Sequence, residues 1–176
     1  MQNPSITTKE LSIPKLREVL DGEVITPEDA SYDEGRAVYY GIDRKPTVIV
    51  RPTDANEVAY MVSIARDTGT ELAVRSGGHS IAGYGSSDGG ILLDLSAMKA
   101  VHVDPEQRTV WAQTGLTAGE LTSALGEHRL AVGFGDTGSV GIGGITLGGG
   151  VGFLSRKHGL TIDSLLAAEL VTADGK

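Results

Sequence analysis

Arg75-Ser76-Gly77-Gly78-His79-Ser80 follows directly on the strand-like run Glu71-Leu72-Ala73-Val74, so a strand empties into a glycine turn tipped by one imidazole. Adjacent glycines let successive backbone N–H groups crowd a phosphate, and the histidine beside them can react with whatever carries that phosphate. Just upstream, residues 47–51 read as a buried strand stopped by Pro52. Asp54 and Glu57 have the spacing of a capping box for the next helix. In that helix Val58, Met61, Val62 and Ala65 recur at i, i+3, i+4 and i+7, and Gly69 supplies the stop. The turn therefore leaves the second strand of a β-α-β unit, at the end suited to a ligand.

Downstream, Ile91-Leu92-Leu93-Asp94-Leu95 reads as a strand, and Val101-His102-Val103 with Thr109-Val110-Trp111-Ala112 as a hairpin. Thr117 and Glu120 form a second capping box, opening a helix with Leu121, Ala124 and Leu125 on its inner face. A second glycine region, GFGDTGSVGIGGITLGGGVG, occupies residues 133–152. Two such regions in one chain point to a ligand with two phosphates held from two sides. A short helix over 153–158, closed by Gly159, leads to a strand predicted over 167–172 and a turn at Asp174-Gly175. That turn has no returning strand, so the chain is expected to be part of a larger polypeptide or one piece of a two-chain assembly. Residues 1–45 read as a lead-in of short helices, with Pro14 and Pro27 suited to first-turn positions.

The 176 residues, 40% of them hydrophobic, suffice for one domain with a real core. A net charge of −8 argues against nucleic acid as a partner, so an anion must be captured by backbone dipoles and a few cations. The sequence contains no cysteine, which excludes disulfides, Cys-ligated zinc and thiol nucleophiles. No run reaches the roughly 18 apolar residues of a membrane span and no signal-like apolar stretch opens the sequence, so a cytoplasmic protein without a membrane partner is expected. His102 alternates with valines on the hairpin, His128 and His158 sit near helix C-termini, and none has metal-ligand spacing; no metal is predicted. Trp111 is expected in core or cross-strand packing.

The glycine clusters do not fit the common nucleotide fingerprints. Gly141-Ile142-Gly143-Gly144 lacks the third glycine of a dinucleotide motif, and no Gly-Lys-Ser/Thr triplet exists for a Walker A loop. Instead VRSGGHS (74–80) and GDTGSVGIGGITLGGGVGFLSRKHGLTIDSLLAAELVTADG (135–175) resemble the FAD-binding half of berberine bridge enzyme-like flavin oxidases, in the vanillyl-alcohol oxidase and p-cresol methylhydroxylase (PCMH) superfamily. The resemblance covers roughly residues 40–176.

It implies an α+β fold, a PCMH-type FAD-binding domain of two α+β subdomains, the first over 46–97 and the second, incomplete, over 98–176. The C-terminal part and the substrate domain would lie beyond Lys176, together with the catalytic residues. It also implies covalent attachment of FAD through His79, a competent nucleophile as a neutral imidazole. Some relatives attach the flavin a second time, through a cysteine. Thr137 stands at that place here, so a single attachment is predicted, with Thr137 and Ser139 as hydrogen-bond donors to flavin or phosphate. The expected cofactor-binding set is Arg75, Ser76, Gly77, Gly78, His79, Ser80, Thr137, Gly138, Ser139, Gly141, Gly143, Gly144, Gly148 and Gly149. Within it the amides of 76–80 carry more weight than the Arg75 side chain, which either offsets pyrophosphate charge or is a solvated surface group. Tyr84 either lines the cofactor or anchors its loop. The implied activity is an oxidase that passes hydride from a sugar, alcohol or secondary metabolite to flavin N5, with O2 as acceptor. A dehydrogenase using another acceptor and a non-catalytic FAD-binding fragment are the alternatives.

Overall fold

The computed structural model describes residues 11–176. Ile91-Leu92-Leu93 is apolar on both faces, and strands buried on both faces belong inside a parallel sheet. Strand β4 (Ile91–Asp94) is indeed buried at every position. It lies inside a four-stranded sheet with β1 (Glu23–Ile25), β2 (Val48–Arg51) and β3 (Leu72–Arg75), in the order β1-β2-β4-β3. β2 and β3 both run parallel to β4, and β1 is antiparallel to β2. The predicted β-α-β unit is present, with β4 inserted between its two strands.

Helix α3 (Ala55–Thr68) packs Met61 and Ala65 against Val48, Val50, Ile91 and Leu93. Asp54 caps it by accepting from Glu57 N at 2.9 Å, and Gly69 ends it at φ 67°. The capping box is only half formed. The Glu57 carboxylate turns instead to the amides of Thr53 (2.7 Å) and Gly22 (3.0 Å), tying the lead-in to the start of the helix.

Residues 11–45 are not helices alone. Between α1 (Ile13–Val19) and α2 (Tyr32–Arg36) they form β1, which pairs Glu23 with Arg51, and Leu16, Leu20 and Val24 enter the sheet's core. The first ten residues of the expected lead-in lie outside the described residues.

The second half is built on the predicted hairpin, β5 (Val101–Asp104) with β6 (Thr109–Ala112). Thr117 and Glu120 form the reciprocal box that opens α4 (Ala118–Gly126), whose Leu121 and Leu125 join Leu116 and Ile142 in a second core. Of the two places expected for Trp111, core or cross-strand, the structure gives the cross-strand one. It is 52% exposed, directly across the hairpin from His102, because the hairpin turns its valines rather than its indole toward that core. Short helices α5 (Ile142–Leu147) and α6 (Ser155–His158) complete the half. The strand predicted over 167–172 does not form: the segment lies outside both sheets and is largely exposed. A strand exists only by pairing, and no sheet edge among the described residues pairs with it. Its turn does form, with Gly175 at φ 78°.

Candidate cofactor site

Parallel register brings the carboxyl ends of β2, β3 and β4 together, and with them three charged side chains. Asp94, 2% exposed, accepts from Arg75 at 2.8 Å and from Arg51 at 2.9 Å. Burial works against the Asp94 charge, but the hydrogen bonds and charges of the two arginines outweigh it and hold the carboxyl below the usual carboxylate range. Arg75 is 7% exposed; it also donates to the Gly35 and Ala37 carbonyls. This corrects its assignment to the cofactor. Its guanidinium is turned into the protein, where it donates to two carbonyls and to buried Asp94, which suits neither a phosphate ligand nor a solvated surface group.

Beyond Arg75 the two glycine regions meet. A Cβ on Gly77 would overlap Gly141 N and come within 2.7 Å of Gly141 Cα, and one on Gly141 would overlap Gly77 N and Ser76 Oγ. Only glycine at both positions permits this approach. Gly143 is held beside the same turn, where its Cβ would overlap Thr114 Oγ1, and Ser76 Oγ donates to Thr114 O at 2.5 Å. Gly78 takes φ 71°, and its carbonyl accepts from Tyr39 N at 3.2 Å. Among the described residues the amides of 77–80, and those of Ser139, Gly143 and Gly144, donate to no protein acceptor. Unpaired donors on two touching turns suit a diphosphate.

His79 sits where the turns face each other. Its Nε2 lies 3.0 Å from Ser139 Oγ, and its ring stacks on Tyr39 with centroids 4.1 Å apart and planes 21° from parallel. Tyr39 carried no signal in the sequence; only the fold brings a tyrosine forty residues upstream onto this histidine.

The other expected residues are scattered around this centre. Ser80 Oγ accepts from Tyr84 N at 3.2 Å within its own loop, and the Tyr84 ring is 79% exposed, so it anchors nothing. Thr137 donates to Asp136, and Gly138 O accepts from Gly119 N of α4 at 2.8 Å. Gly148 ends α5, and Gly149 O accepts from Ile162 N, which turns this end of the region toward residues 160–162.

This geometry agrees with what the sequence is similar to. Residues 46–176 match the family described as FAD binding domain. The chain belongs to this family, as a PCMH-type FAD-binding domain. The domain is 41% identical over 157 residues to (R)-6-hydroxynicotine oxidase of Paenarthrobacter nicotinovorans, covering 89% of this chain and 34% of that protein. Its fold superposes on Physcomitrella patens BBE-like 1 with a TM-score of 0.89 at 29% identity, covering 94% and 37% of the two chains. It superposes on glucooligosaccharide oxidase of Acremonium strictum, whose FAD is 6-S-cysteinyl and 8α-N1-histidyl, with a TM-score of 0.86 at 32% identity, covering 94% and 36%. The FAD-binding domain thus spans about a third of the length of the relatives it matches.

Proposed function

We propose that this chain is the FAD-holding part of a flavin-dependent oxidoreductase, an oxidase acting on a sugar, alcohol or secondary metabolite with O2 as acceptor, and that FAD is attached through His79 alone. The observation that carries this reading is the backbone contact of Gly77 with Gly141, which joins two turns that both carry unpaired amides, with His79 of one turn 3.0 Å from Ser139 of the other.

The residues present fit FAD. Backbone N–H groups of 77–80 and of Ser139, Gly143 and Gly144 would hold the diphosphate without the side chain of any cation, consistent with a chain of net charge −8. His79 would hold the dimethylbenzene edge, since a neutral imidazole nitrogen is a competent nucleophile. Thr137, at the place of the second attachment in doubly linked relatives, has a hydroxyl that forms no thioether. When bound, FAD supplies the hydride acceptor, and the protein's contribution is to hold and tune it. The group that removes the substrate's proton is assigned to no residue of this chain.

The test is mass and absorbance of the denatured, precipitated holoenzyme. Flavin carried on the single peptide containing His79 is expected, and its loss in His79→Ala; free FAD in the supernatant of the parent protein refutes attachment. Dissolved-oxygen uptake during turnover then separates an oxidase from a dehydrogenase.

A further inference from the structure

Tyr39 belongs to no motif, yet it makes the closest ring contact to His79, face to face at 4.1 Å. The segment that carries it is fastened independently of the cofactor. Arg75 holds the Gly35 and Ala37 carbonyls and is itself fixed by buried Asp94, and Tyr39 N donates to Gly78 O inside the glycine turn. Tyr40 packs edge-on against Tyr39, with centroids 5.1 Å apart and planes at 83°. A strap rooted in the sheet therefore presses one aromatic face onto the imidazole, while Ser139 Oγ holds Nε2. No hydrogen bond to Nδ1 is formed among the described residues.

We propose that Tyr39 is a positioning residue for flavin attachment: its ring fixes the plane of the His79 imidazole, with Ser139 fixing the rotation within that plane. The inference rests on attachment through His79 as proposed above. In that step an 8α C–H bond of the flavin methyl and an imidazole N–H bond break, one N–C bond forms, and two protons leave. The electron pair passes to the flavin ring and from there to dioxygen. The nitrogen lone pair must point at the methyl carbon, and a ring free to turn about its side-chain bonds meets that demand only part of the time. The tyrosine face limits this freedom and needs no hydroxyl to do so.

The experiment adds FAD to apoprotein produced in a riboflavin-auxotrophic host starved of flavin and follows covalent flavin by in-gel fluorescence after denaturation, with reversible FAD affinity measured separately by fluorescence quenching in the first moments of mixing. Tyr39→Phe is expected to attach flavin at the parent rate, whereas Tyr39→Leu and Tyr39→Ala slow attachment by about ten-fold or more with reversible affinity retained. Tyr39 is 62% exposed, so truncation leaves the core intact, and Leu carries the comparison should Ala fold poorly. Attachment at the parent rate in both Leu and Ala variants overturns the proposal, as does a Phe variant as slow as Ala. A parent protein that releases all its FAD on denaturation defeats the attachment reading itself, and this inference with it.

Discussion

Asp94 is almost wholly buried and charged, between two guanidinium groups. Removing the carboxylate leaves buried Arg75 without its counter-charge, at a cost of about 3–5 kcal/mol, while half-buried Arg51 keeps Glu23. Asp94→Asn is therefore expected to lower stability to urea by about that amount at pH 7. The pH dependence follows from the lowered carboxyl pKa. The stabilisation is complete above the unfolded value of about 4 and is lost as pH falls through the lower folded value. The gap between parent and variant should accordingly narrow only on acidification below about pH 4, in urea titrations repeated across pH. Arg75 was visible in the sequence as a cation at a strand end. Its partner was not, because Asp94 lies 19 residues on and becomes adjacent only through the β3–β4 register.

At the scale of elements, the two glycine turns act as one unit, since neither can take a side chain at its crossing point. Gly77→Ala forces a methyl onto the Gly141 backbone, which cannot rotate aside as a side chain would. Overpacking of this kind costs about 1–3 kcal/mol of stability, and the displaced turns are expected to leave a smaller fraction of the purified protein carrying flavin, read from flavin absorbance per protein. Much at this scale was legible beforehand. The helix stop at Gly69, the Thr117–Glu120 box and the hairpin register depend on residues a few positions apart, so local chemistry specifies them. The insertion of β4 between β2 and β3, the strand β1 in the lead-in and the Tyr39 strap are settled by long-range packing that no local spacing encodes. The segment 167–172 shows the converse: the Asp174-Gly175 turn after it was readable, but a turn supplies no partner for the strand before it.

At the scale of the molecule there are two cores, one centred on the parallel sheet and one under the hairpin. Met98 and the lead-in's Leu16 both belong to the first, so that core draws on residues either side of the 46–97 segment. Apolar side chains also stand in solvent along the second half, among them Leu147, Val151, Phe153 and Leu166, each at least 75% exposed. Exposed apolar surface of this extent favours association, and the 176-residue chain on its own is expected to bind a hydrophobic dye and to self-associate with rising concentration in light scattering.

The crossing of Gly77 over Gly141 gives the bound nucleotide a mechanical office as well as a chemical one. Amides from both halves would close on the same diphosphate, which makes it a rivet through the seam, and ligation of that kind shifts melting by mass action. Calorimetry of apoprotein should then resolve two overlapping endotherms that merge into a single, later one once the yellow cofactor is seated.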